Sequence, residues 1–270
     1  MSIRALFLKG QTAVCWGKRI RTDGVDKMLE AKIIYIPGHG GSVKQAEESE
    51  KSFSRFDGWR ASLRAGITPK TYREPLRLKW IENGRMEGHA SRIDKFPEET
   101  ERWEKMVLTK KSCATNHLRF WQEVVKQNKT MAFLEHDSIC IGDWTDPEFE
   151  DCLILNMQYA LDDPSPLARF WRHTPKNREP GVYSLEPSYP VRYTYKNHYG
   201  GSNLIPGTAA YAMTPQGAQK MLDGVKKYGL DQSDYMINSK LVNLQYVFPS
   251  PFKFNDVNLK TSHGDGTRLP

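Results

Sequence analysis

A repeated alternation of short apolar runs, glycine- or proline-stopped turns and polar helical stretches constrains this chain most. Lys32-Ile-Ile-Tyr-Ile-Pro37 is rich in β-formers and stops at Pro37-Gly38-His39-Gly40-Gly41, after which Ser42 opens a polar helical stretch reaching about Arg64. Thr130-Met-Ala-Phe-Leu134 and Cys152-Leu-Ile-Leu-Asn156 are continuous apolar runs of strand length, the pattern of strands covered on both faces. Between them in type, His117, Leu118, Trp121, Val124 and Val125 recur at three- and four-residue spacing, which predicts a helix from Ser112 closing at Gln127-Asn128-Lys129. Gly207 to Met213 reads as a further strand, and Thr214 and Pro215 as the N-cap and first residue of a helix to about Lys227. Strand, helix, strand, helix in this order predicts an α/β sandwich around a largely parallel, mixed central sheet. Residues 70 to 111 read as an irregular or partly helical surface segment, and residues 164 to 201 as an excursion from the core.

The 270 residues suffice for a single α/β domain with a sizeable core. Lys and Arg number 39 against 32 Asp and Glu, a formal charge of +7 that suits polyanionic partners without choosing among phosphate-rich substrates, nucleic acid and anionic lipid. No apolar run approaches the roughly 18 residues of a membrane span, and the opening segment is interrupted by Lys and Arg, so a soluble, cytoplasmic protein is expected. Cys15, Cys113, Cys140 and Cys152 lack metal-ligand spacing and lie in or beside apolar segments, which predicts buried thiols rather than disulfides.

Chemistry is concentrated where the strand at 130–134 runs out. Glu135 and Asp137 flank His136, and alternate residues of an extended chain point the same way, so the two carboxylates can converge on one ligand. Ligands of open α/β sheets bind beyond the carboxyl ends of strands, and two convergent carboxylates can hold a hard divalent cation that bridges nucleotide phosphates. A solvated acidic loop accounts for the same three residues. Pro37 and Gly38, in the glycine-rich turn, can bring backbone amides close to a nucleotide or simply turn the chain.

Three blocks resemble glycosyltransferase family 25, which includes lipooligosaccharide and collagen sugar transferases. They are Ser112-Cys113-Ala114-Thr115-Asn116-His117-Leu118-Arg119-Phe120-Trp121, then Phe133-Leu134-Glu135-His136-Asp137, then Gly207-Thr208-Ala209-Ala210-Tyr211-Ala212-Met213-Thr214-Pro215-Gln216-Gly217-Ala218. They stand in the family's order, and with residues 32 to 67 the likeness covers about two-thirds of the chain. The resemblance implies a Rossmann-like sandwich of the GT-A type, a nucleotide-sugar donor, UDP-linked by expectation, a divalent metal, and inversion at the anomeric carbon. It further implies a nucleotide-sugar half at 32–160 and an acceptor half at 161–270. By position, Asp137 and Glu135 become metal ligands, with His263 near the C-terminus a further one. Thr208, His117, Glu135, His136, Pro37 and Gly38 fall on the donor side. His136 stands where the family carries Asp, which removes one negative charge and offers a nitrogen ligand better suited to manganese than magnesium.

Inversion needs a general base for the acceptor hydroxyl. Asp234 matches the family best and Asp231 is the alternative, both in Gly229-Leu-Asp-Gln-Ser-Asp234, although an Asp in a first helical turn is also favoured by the helix dipole alone. His117 lies on an apolar face, where a core role competes with a donor-site one.

Residues 164 to 200 interleave Arg169, Arg172, Lys176, Arg178, Arg192 and Lys196 with Phe, Trp and Tyr, which suits phosphorylated glycan or nucleic acid. A cell-surface glycan of the lipopolysaccharide type is the acceptor the family implies. The alternatives are a viral-type DNA-modifying transferase acting on hydroxymethylated bases, whose binding would fall steeply with salt, and a non-enzymatic basic nucleic-acid-binding module.

Overall fold

The computed structural model describes residues 28–75, 77–81, 95, 97–158, 178–185 and 204–255. In chain order these form β1 (Leu29–Tyr35), α1 (Gly40–Ser52), β2 (Trp59–Ala65), α2 (Thr100–Gln127), β3 (Met131–Glu135), β4 (Ser138–Cys140), β5 (Cys152–Ile154), β6 (Gly181–Ser184), β7 (Ala210–Met213), α3 (Pro215–Tyr228), the single turn α4 (Ser233–Met236), β8 (Leu244–Phe248) and β9 (Phe252–Phe254). Seven strands make one sheet in the order β2-β1-β3-β7-β5-β8-β6, and β4 pairs with β9 beside it. Relative to β3, strands β1, β2, β5 and β8 run the same way while β6 and β7 run against it. The fold is therefore α/β and Rossmann-like, with a mixed, mostly parallel sheet.

Period-two alternation builds two cores, one on each face. On one face Met131, Phe133, Tyr211, Met213, Cys152 and Ile154 pack with Phe120, Trp121 and Val124 of α2 and Met221 of α3. On the other, Ala31, Ile33, Ala132, Leu134, Ala210 and Ala212 pack with Ala46 of α1 and Phe53, Trp59 and Phe252. Trp121 and Tyr211 are fully enclosed, each removing some 150–250 Å² from water, a gross gain of about 4–6 kcal/mol apiece. Helix α3 sits close to the sheet because position 217 is glycine: a Cβ there would fall 2.4 Å from the Asp151 carbonyl oxygen. Thr214 caps α3 as its sequence predicts, accepting from Gly217 N at 3.0 Å, and Pro215 is its first residue.

Three sequence expectations are corrected. The helical stretch opened by Ser42 stops at Ser52, and Trp59–Ala65 is an edge strand parallel to β1. An edge strand buries few side chains, so its apolar signal is faint. Helix α2 begins at Thr100, twelve residues before the amphipathic pattern, because in residues 100–111 only Trp103 is fully buried and no apolar stripe is needed there. Cys140 and Cys152 are buried free thiols as expected, whereas Cys113 is exposed and Cys15 lies outside the described residues.

Candidate active site

Strands β1 and β3 are adjacent and parallel, with Ile34 opposite Glu135, so both chains leave the sheet at the same edge. From β1 the chain crosses to β2 on one side through α1 and later returns to β3 on the other, which makes the gap between the ends of β1 and β3 a switch point of the kind where α/β sheets bind ligands. The turn Pro37-Gly38-His39 lies on one side of this gap and Glu135-His136-Asp137 on the other. Gly38 takes φ +79°, which glycine adopts without strain, and the turn leaves Pro37 and Gly38 exposed. His39 caps α1, its Nδ1 accepting from Ser42 N at 3.1 Å.

The acidic corner is held firmly. Glu135 N donates to Ala209 O at 2.8 Å, Ser138 Oγ donates to the same carbonyl at 2.7 Å, and Asn255 N donates to Asp137 O at 2.7 Å. Because β7 runs against β3, its start brings Thr208 to this edge. The Thr208 hydroxyl lies 2.9 Å from Glu135 Oε1 and 3.2 Å from Asp234 Oδ1, and Gln232 Nε2 donates to Asp234 Oδ2 at 2.7 Å. Sequence positions 135, 208 and 234 thus meet through one hydroxyl.

Charge explains the arrangement. Burial, then the neighbouring carboxylates of Asp137 and Asp234, push the Glu135 carboxyl up to about 8, with Thr208 and the Lys110 ammonium acting the other way. A hydroxyl has one proton to give, so Thr208 donates to one of the two carboxyl groups at a time.

Of the other expected site residues, His136 is buried beside Asp137 and His39, and among the described residues its Nε2 has no hydrogen-bond partner. Burial, aided by His39, holds this imidazole below its ordinary range against the pull of Asp137. Asp231 is fully buried, and Asp234 is bonded to side chains rather than acting as a helix cap. His263 lies outside the described residues. His117 is not brought to the cluster: it is 2% exposed, stacks on Phe133 with ring centres 4.0 Å apart, and its Nδ1 is 2.9 Å from Tyr211 Oη.

Burial pushes His117 down to about 3. Its unfolded value is near 6.5, so between pH 6.5 and 3 the unfolded chain binds the extra proton and stability falls as pH falls. About 2 kcal/mol should be lost by pH 5 from this residue alone, and a urea titration series should show His117→Gln with a flatter acid limb than the parent.

Sequence reasoning missed Gln232, which lies two residues before Asp234 in the same motif, and misplaced Cys113. The latter is exposed on α2 one turn before His117. Crowding by surrounding protein and the nearby Glu135 and Asp234 charges push its thiol up to about 12. The periodicity of α2 contained that signal, since residues 113 and 117 share a face.

Of the basic aromatic segment, Arg178 and Tyr183 are described: the guanidinium lies 4.5 Å from the Tyr183 ring centre, a packing contact on the β6 edge. Among the described residues no helix is long and apolar enough to cross a membrane.

A Rossmann-like sheet with an acidic, tightly tethered corner at its switch point is a framework on which α/β proteins bind ligands. The family model for glycosyltransferase family 25, described as LPS biosynthesis protein, matches residues 43–237, and the chain belongs to that family. Among curated proteins none matches the chain. The protein is a glycosyltransferase, and the matched span contains most of α1, the acidic corner, Thr208 and Asp234.

Proposed function

We propose that the protein transfers a sugar with inversion from a nucleotide-sugar donor to a hydroxyl of a cell-surface glycan of the lipopolysaccharide type, the donor lying between the ends of β1 and β3. The convergence of Glu135, Asp137, Thr208 and Asp234 at that edge carries this reading. Asp234 is the general base: its carboxylate is partly exposed and oriented by Thr208 and Gln232, and it accepts the acceptor's proton as the acceptor oxygen attacks the anomeric carbon. The bond from that carbon to the diphosphate breaks, and the electron pair leaves with the phosphate oxygen.

Among the described residues no three His, Cys, Asp or Glu side chains form a ready-made metal group. Hard cations bound with a nucleotide need only one or two carboxylates, since phosphates and water complete the shell. Asp137 and Glu135 fit that role, because a cation would offset the burial and the like-charge repulsion that push the Glu135 carboxyl above its ordinary range. Such a cation, manganese or magnesium, would neutralise charge developing on the departing diphosphate. His136 contributes a neutral, buried wall to the same corner. His39, beside it, brings the α1 N-terminus to the edge.

The test is hydrolysis and transfer with UDP-, GDP- and CDP-sugars, with and without MnCl2. Release of nucleoside diphosphate from one of them, stimulated by a phosphorylated glycan, is expected. Lack of turnover of all three, with and without metal, would remove the donor assignment.

A further inference from the structure

Helix α2 extends well past the sheet edge that holds the acidic corner. It leads into β3 through the left-handed Asn128, so the two elements run in opposite directions and residues earlier in α2 stand level with residues later in β3. The stack of His117 on Phe133 fixes their relative height. From there Lys110 is seven residues up the helix, about 10 Å, and Asp137 four residues up the strand and corner, about 13 Å. Two helical turns return to nearly the same face, so Lys110, Cys113 and His117 form one file. His117 lies in the core, Cys113 is exposed above it, and Lys110 is level with the carboxylates. Helical side chains lean toward the N-terminus, which carries the Lys110 ammonium further over the edge.

Two more observations agree. The Lys110 charge acts on both Glu135 and Cys113, from two different elements. Among the described residues Lys110 forms no ion pair, unlike its neighbour Lys111, which binds Glu74 at 3.1 Å and lies over the Trp80 ring. A half-buried ammonium beside an acidic corner, committed to no carboxylate, is placed for an anion that enters with a ligand.

We propose that Lys110 binds the diphosphate of the nucleotide-sugar donor and stays with the nucleoside diphosphate as it leaves. The assignment rests on the donor site proposed above. As the bond between the anomeric carbon and the phosphate oxygen breaks, that oxygen keeps the electron pair, and the fixed ammonium stabilises the added charge. No proton leaves the lysine. Lys110 is thereby a binding residue for the phosphates and not for the base or ribose, which gives it a signature that a structural lysine lacks.

Titration calorimetry of UDP, GDP and CDP, and of uridine, guanosine and cytidine, into the full-length protein with MnCl2 tests this, using the parent, Lys110→Ala, Lys110→Gln and Lys110→Arg. For the diphosphate that the parent binds, the Ala and Gln variants should weaken affinity roughly 10- to 100-fold, Arg by no more than a few-fold, and the matching nucleoside should bind all four proteins alike. Gln keeps much of the side-chain stem, and thermal melts of the variants identify any loss of fold. If the parent binds a diphosphate and the folded Ala and Gln variants bind it equally well, or if diphosphate and nucleoside weaken in parallel, Lys110 is not the phosphate residue and the donor site stands. If the parent binds none of the three diphosphates, the donor site and the Lys110 assignment fall together.

Discussion

Asp234→Asn should lower the rate of sugar transfer about 10³-fold while leaving the affinity for nucleoside diphosphate within about two-fold of the parent. Asparagine is isosteric, and its amide oxygen still accepts from the Thr208 hydroxyl that now lies 3.2 Å from Asp234 Oδ1. What it loses is the ability to take a proton. Because the carboxylate touches no donor group in the proposed arrangement, the loss belongs in kcat rather than in donor binding. Steady-state kinetics beside calorimetry separate the two. A variant retaining more than a tenth of the parental rate would move the base elsewhere, whereas a parallel fall in donor affinity would make Asp234 a binding residue.

The second large effect is on stability and follows from Glu135. Its folded value near 8 stands above the 4.5 of an ordinary carboxyl. Below pH 4.5 both states are protonated and the group is neutral to stability. Between 4.5 and 8 the unfolded chain releases the proton and the folded one keeps it, so the folded protein is progressively disfavoured as pH rises through that window. In EDTA, Glu135→Gln should therefore be the more stable protein at pH 8, on the order of a few kcal/mol and several degrees in Tm, and equal to the parent near pH 4.5. Added MnCl2 should raise the Tm of the parent at pH 8 and act weakly on the variant, since metal binding displaces the proton that glutamine never carries. Melting curves across pH 4.5 to 8.5 read both effects. Equal slopes for parent and variant would mean that Glu135 is ionised in the folded state.

Much of this site could be read before any coordinates. Buried strands announce themselves by continuous apolar runs, so β3, β5 and β7 were legible, and the position of Glu135 and Asp137 at the end of β3 followed from them. Helix α3 was legible because Thr214 and Pro215 supply a cap and a first turn with a defined physical role. Strand β2 was not, since an edge strand with Arg60 and Leu63 exposed has the same polarity as a surface helix. The first three turns of α2 escaped for a related reason: Trp103 is their one fully buried residue, and a single buried position carries no stripe. The pairing of Thr208 with both Glu135 and Asp234 spans 73 and 26 residues of sequence, and only the antiparallel placement of β7 against β3 brings them together. His117 shows the converse. The apolar face that its sequence spacing describes is buried, with the imidazole stacked on Phe133 and beside Tyr211.

The central claim is that a donor diphosphate is held at the switch point, between the turn at Pro37-Gly38-His39 and the corner at Glu135-His136-Asp137. A crystal grown with UDP and MnCl2, measured at a wavelength where manganese scatters anomalously, tests it directly. The expected map has a manganese peak in contact with Asp137 and with the diphosphate, and the nucleotide lying across the ends of β1 and β3. A nucleotide or manganese bound elsewhere on the protein, with this corner filled by water alone, would contradict it.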